Sequence, residues 1–169
     1  MLKGTPIELP AMLAAREQRA ARQLVLRQQY HSPQLSFCLN IPGPVKTTPA
    51  LRQLFDCAVL SIQNHLAELG AATLDSQTIH APTGDEYLIA FHGDTTTVKS
   101  VMSQLEESDP LGRLFDIDVL TASGEKLSRS VPRRCLLCDR QAQDCARSRR
   151  HSVEELTAHI EDMLTEYRP

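Results

Sequence analysis

Aromatic side chains make up only 4% of the chain, so there are few rings on which bases would stack, and no nucleic-acid partner is expected. No apolar run reaches the roughly eighteen residues that a membrane-spanning helix needs, which excludes a membrane partner of that kind. The N-terminus lacks the charged-then-apolar pattern of a secretion signal, and the expected location is the cytoplasm. Cysteines number five, an odd count that argues for free thiols or metal ligands over a disulfide framework. What remains is an ordinary globular composition: 169 residues, 41% hydrophobic and 23% charged, enough for one domain with a real core.

The net charge of -3 hides an asymmetry. Between 126 and 150 stand eight Lys/Arg against Asp139 and Asp144, a local charge of +6 that leaves -9 for the rest of the chain. A concentrated basic segment beside an acidic body suits a polyanionic ligand or an acidic protein better than a general nucleic-acid coat.

Residues 10–30, rich in Ala, Arg, Gln and Leu without internal Gly or Pro, predict a surface helix with Arg16, Arg19, Arg22 and Arg27 on a solvated face. A strand follows over 35–41 and stops at Pro42. The stiff Pro42-Gly43-Pro44 turn carries Lys46 close to the start of a second helix, capped by Thr48 and opened by Pro49, where backbone N–H groups favour an anion. Leu51, Leu54, Phe55, Ala58, Ile62, Leu66 and Leu69 form that helix's apolar stripe. Strands over 72–80 and 86–92 read as a hairpin, and Asp94 caps a third helix with Val98, Val101, Met102 and Leu105 inward. A last strand carries Asp116 and Asp118. Strand, helix, strand, strand, helix, strand is the order of an α+β, ferredoxin-like βαββαβ antiparallel sheet, here with an added N-terminal helix and a C-terminal Cys/Arg-rich helical segment. We expect a single domain over 1–169, its α/β core over 35–121 and its basic Cys/His segment and terminal helix over 122–169. In that topology the end of the first strand, with Lys46, lies near the start of the last, with Arg113.

On a strand, residues i and i+2 share a face at roughly 7 Å spacing, so Asp116 and Asp118 project together while Phe115, Ile117 and Val119 face the other way. Paired carboxylates on a half-buried strand call for a cation or an Arg/Lys cluster, although the same pattern also suits an edge strand that uses charge against aggregation. Further on stands Cys135-x2-Cys138-x6-Cys145-x5-His151. Three thiols and an imidazole could form a Cys3His zinc knot, or the cysteines could pack as small hydrophobes with His151 in the ligand site. The irregular spacing favours the second arrangement, a basic substrate flap. The final helix is announced by Ser152 and Glu155, a capping box, and by the stripe Val153, Leu156, Ile160, Met163 and Tyr167.

Several stretches together resemble one family: Pro42-Gly43-Pro44-Val45-Lys46, Asp109-Pro110-Leu111-Gly112-Arg113-Leu114-Phe115-Asp116-Ile117-Asp118-Val119-Leu120, Leu127-Ser128-Arg129, Pro132-Arg133-Arg134-Cys135-Leu136-Leu137-Cys138, and Cys145-Ala146-Arg147 with His151. They occur in order along nearly the whole chain and are similar to holo-citrate lyase synthase, also called apo-citrate lyase phosphoribosyl-dephospho-CoA transferase. The resemblance implies a nucleotidyltransferase. Such an enzyme moves the 2'-(5''-phosphoribosyl)-3'-dephospho-CoA group from triphosphoribosyl-dephospho-CoA to a serine of the citrate lyase acyl carrier protein and releases pyrophosphate. Asp116 and Asp118 would then hold Mg2+, and Lys46, Arg113, Arg129, Arg133, Arg134 and His151 would meet the phosphates. The carrier supplies the nucleophile, and Arg147, Arg149 and Arg150 suit its acidic surface. His92 and His151 are the candidate general bases. The alternative is a non-enzymatic, zinc-stapled basic module that binds an acidic protein or nucleic acid, with structural aspartates.

Overall fold

The computed structural model describes residues 2–167. Its elements are α1 (Leu9–Tyr30), β1 (Gln34–Leu39), α2 (Pro49–Glu68), β2 (Ala72–Ile79), β3 (Glu86–His92), α3 (Thr95–Ser108), a 3-10 turn (Gly112–Leu114), β4 (Phe115–Leu120), α4 (Ala142–Ser148) and α5 (Val153–Glu166). The four strands form one antiparallel sheet in the order β2-β3-β1-β4, giving a mixed α+β architecture with five helices.

Local chemistry accounts for the boundaries. Thr48 and Asp94 accept from the backbone N–H groups of Leu51 and Thr97 at 3.2 and 2.7 Å, and Ser152 with Glu155 completes a capping box on α5. Gly70, at φ +67, ends α2 in the left-handed region. Gly112 lets the 3-10 turn press against the end of α3, since a Cβ there would stand 2.6 Å from the Glu106 carbonyl oxygen.

Alternation divides the sheet into two faces. Leu35, Phe37, Tyr87, Ile89, Phe91, Phe115, Ile117 and Val119 point toward α2 and α3 and form the main core. Phe37 stacks on Phe55 at 5.1 Å and meets the edge of Phe115 at 5.6 Å. The opposite face carries Gln34, Ser36, Cys38, Glu86, Leu88, Ala90, Asp116 and Asp118, and α1 crosses it through Leu26, which packs on Leu88 and Ala90.

This corrects the reading of α1 as a helix with only a solvated charged face. Arg19 donates to the buried Glu86 carboxylate at 2.8 Å, and Arg22 pairs with its other oxygen. A buried carboxylate must be paired, and two guanidiniums of α1 do it. Periodicity on α1 was too irregular to reveal that contact, because the anchors are charged.

Candidate active site

β4 lies at the sheet edge with only β1 beside it, so one row of its backbone groups has no partner strand. Side chains take their place. Arg133 donates to the Phe115 carbonyl at 2.7 Å, the Ile117 N–H donates to Glu106 at 2.9 Å, and Lys99 donates to the Ile117 carbonyl at 2.9 Å. The Leu127 N–H donates to the Val119 carbonyl at 2.9 Å as the chain turns back. The edge is therefore closed by Arg, Glu and Lys rather than by another strand.

Glu106 is the hub of that arrangement. It is 3% exposed, with Arg133 at 2.8 Å and Arg129 at 3.4 Å. Burial pushes its carboxyl upward, against the pull of Arg133, the Ile117 N–H, Arg129 and Lys99. Burial likewise drives the Lys99 ammonium down, while Glu106 and Asp118 support its charge. Lys99 and Glu106 stand seven apart on α3, flanking the apolar stripe of Val98, Met102 and Leu105. Sequence reasoning missed both; a Lys and a Glu two turns apart at the margin of a buried stripe is the signal that could have found them.

Along this edge runs a cleft of ≈ 680 Å³, lined among others by Asp116, Asp118, Lys126, Arg129, Arg133 and Gln143. The two aspartates sit on the face opposite the core, as the alternation requires, with side chains 42% and 26% exposed. Lys126 reaches Asp118 at 2.7 Å, and that carboxylate holds the ammonium above its ordinary pKa although partial burial works against it. Arg133 stands 4.0 Å from Asp116. Beside Asp116 on β1, burial pushes the Cys38 thiol up to about 11, so at neutral pH it is a neutral neighbour and no nucleophile. The donor set suits a divalent cation: two accessible carboxylates on one strand face, one of them already drawing a positive charge onto itself.

The other expected residues divide. Arg113 donates to the carbonyls of Arg134 and of Cys135, the latter at 2.7 Å, and so fastens the 121–141 connection to the start of β4. With Arg133, Arg134, Arg149 and His151 it lines a second cleft of ≈ 520 Å³, which shares Asn40, Arg133, Ala142 and Ala146 with the first. Lys46 lines neither cleft; its amine donates to the Ile41 carbonyl of its own loop at 2.7 Å. Neither candidate base faces the aspartates. His92 ends β3, and His151 turns Nε2 to Cys138 Sγ at 3.4 Å.

The cysteines also depart from expectation. Cys135, Cys138, Cys145 and His151 converge, their ligand atoms all within 4.8 Å of one another, with 3.5 Å between the sulfurs of Cys138 and Cys145. The flap reading assumed sulfurs held apart by irregular spacing. α4, which the sequence reading did not contain, shortens the path by folding Cys145 back onto the Cys135–Cys138 turn.

The sequence model of the apo-citrate lyase phosphoribosyl-dephospho-CoA transferase family matches residues 7–167. Proteins carrying that name in Shigella boydii serotype 18, Escherichia coli O157:H7 and Shigella sonnei are each 35% identical to this chain over 164 residues, covering 95% of this chain and 90% of theirs. Those relatives are named as transferases, which does not favour a non-enzymatic module. By a match that spans almost its whole length and includes the β4 aspartates and the strap over 121–152 that carries Lys126, Arg129 and Arg133 beside them, the chain belongs to the apo-citrate lyase phosphoribosyl-dephospho-CoA transferase family.

Proposed function

We propose that the protein transfers the 2'-(5''-phosphoribosyl)-3'-dephospho-CoA group from triphosphoribosyl-dephospho-CoA to a serine of the apo citrate lyase acyl carrier protein, with pyrophosphate leaving. The observation that carries this reading is the cleft at the β4 edge where Asp116 and Asp118 face Lys126, Arg129 and Arg133. Acidic and basic groups side by side match a triphosphate that arrives with a cation and leaves as pyrophosphate. Mg2+, held by Asp116 and Asp118, would supply charge neutralisation on the phosphate oxygens when bound. Arg129 and Arg133 are braced by Glu106, so their guanidiniums meet the substrate already oriented rather than paying for that order on binding. Arg113 and Arg134, on the second cleft, extend the positive lining toward the remainder of the nucleotide. His151, turned toward Cys138, is assigned to the cysteine cluster rather than to the phosphates.

The core is read as ferredoxin-like, supported by the strand order with every neighbour antiparallel and β3 inserted between β1 and β2. No helix among the described residues is long and apolar enough to cross a membrane. The reading sets the reaction in the cytoplasm, where the five free thiols stay reduced. The exposed Arg147, Arg149 and Arg150, at the end of α4 and just beyond, give an acidic carrier a basic rim to approach.

Intact-mass measurement of the apo carrier after incubation with this protein, the precursor and magnesium tests the proposal. The carrier is expected to gain the mass of one prosthetic group on a single serine. An unmodified carrier that nonetheless binds this protein in a salt-dependent manner overturns the reading in favour of a binding module.

A further inference from the structure

The segment between β4 and α5 has little apolar to hold it: only Leu127 and Leu136, both partly buried, pack against the main core. Over 121–152 the only buried hydrophobic residues are Cys135 and Cys145. α4 has seven residues and buries Cys145 alone, too little to fold by packing. Yet the segment has a defined path: the Cys135 N–H donates to the Arg140 carbonyl at 2.7 Å, the Ala142 N–H to the Arg133 carbonyl at 2.8 Å, and Arg134 bridges Gln141. Something other than a core must close the loop.

We propose that Cys135, Cys138, Cys145 and His151 bind one zinc ion, and that this ion is the structural clasp that folds the basic strap against the β4 edge. The proposal does not depend on the transferase reading. Around a tetrahedral ion with zinc–sulfur bonds near 2.3 Å and zinc–nitrogen bonds near 2.0 Å, ligand atoms stand roughly 3.5 to 3.8 Å apart. The 3.5 Å between the sulfurs of Cys138 and Cys145 and the 3.4 Å from His151 Nε2 to Cys138 are of that size, and all four atoms lie within 4.8 Å. No disulfide competes in the structure, where all three cysteines are free thiols.

The surroundings fit as well. Three thiolates and one imidazole around Zn2+ carry a net charge of -1, and Arg113, Arg134 and Arg149 line the cleft beside them. Loading the site releases the thiol protons and converts ligand binding into folding free energy for the strap. Arg133 stands two residues before the first ligand, so the clasp fixes the arginine that reaches Glu106 and the Phe115 carbonyl.

The test uses untagged full-length protein, purified under reducing conditions without added zinc. Elemental analysis is expected to give about one zinc per chain. Replacement by cobalt should give the intense visible absorption of a tetrahedral ion with a sulfur-to-cobalt charge-transfer band. Cys138→Ser should lower zinc to below about a tenth of the wild-type content, whereas Cys57→Ser, on α2, should leave it full. Since the Cys138 variant risks failing to fold, a second measurement uses the wild type: chelation should open 121–152 to trypsin while α1 through β4 stays protected. A metal-free wild type with a native melt, full zinc in Cys138→Ser, or cobalt without thiolate charge transfer would each overturn the proposal.

Discussion

Two parts of the molecule are held together by different physics. From β1 to β4 the chain buries Phe37, Phe55, Ile62, Ile89, Phe91, Met102 and Ile117, all at 1% exposure or less, in one apolar core. From 121 to 152 only Leu127 and Leu136 lean on that core, and the segment relies mainly on guanidiniums that bond backbone carbonyls, on the buried Glu106 carboxylate, and on a cluster of thiols. In the first part apolar burial is spread over many residues, so no single contact carries it. The second depends on a few charged contacts, each of which leaves a partner stranded when removed. The difference has a functional sense. The apolar part fixes the strand that carries Asp116 and Asp118, and the polar part brings the cations that complete the cleft.

That contrast can be broken at its hub. Glu106→Ala should deprive Arg129 and Arg133 of their shared buried counter-charge and open the Ile117 N–H, costing about 3–5 kcal/mol in denaturant unfolding. A loss under about 1 kcal/mol, the scale of one ordinary hydrogen bond, would mean the strap is not anchored there.

Next in size is the aspartate pair. Asp116→Asn or Asp118→Asn should reduce turnover by about a hundredfold or more, the scale of one electrostatic group, with the thermal melt unchanged because both side chains are partly exposed. A melt that falls together with activity would move these residues from chemistry to structure.

Arg133→Lys keeps the charge but not the fork. One Arg133 nitrogen serves both Glu106 at 2.8 Å and the Phe115 carbonyl at 2.7 Å, and a lysine ammonium cannot keep that planar geometry. We expect about a tenfold loss in turnover, equivalent to about 1.4 kcal/mol, with most of the stability kept. Wild-type turnover in Arg133→Lys would show that charge alone suffices.

The smallest effect is expected at Lys46. Its amine braces the Ile41 carbonyl and lines neither cleft, so Lys46→Ala should cost about 1 kcal/mol or less of stability. KM for the precursor should stay within about twofold. A large rise in KM would return Lys46 to the phosphates.

What the sequence made legible follows the same division. Periodicity marked the helices and strands of the apolar part, from the Leu51-to-Leu66 stripe to the alternation of Phe115, Ile117 and Val119 that turned the aspartates outward. Caps at Thr48, Asp94 and Ser152 were readable because their chemistry is local. Contacts between charged groups were not. Arg19 and Arg22 on Glu86, Lys99 and Glu106 under β4, and Arg113 on the strap join residues far apart in the chain through single hydrogen bonds, which leave no repeating pattern. Spacing also misled at the cysteines, because the seven-residue helix α4 draws Cys145 toward Cys138 where an extended chain would have separated them.

The most direct measurement is pyrophosphate release with the reaction mixture complete and with each component left out in turn, for the wild type and for Asp118→Asn. The account predicts release only when apo carrier, triphosphoribosyl-dephospho-CoA and magnesium are all present, and its loss in Asp118→Asn. Release without the carrier, or undiminished release from Asp118→Asn, would contradict it.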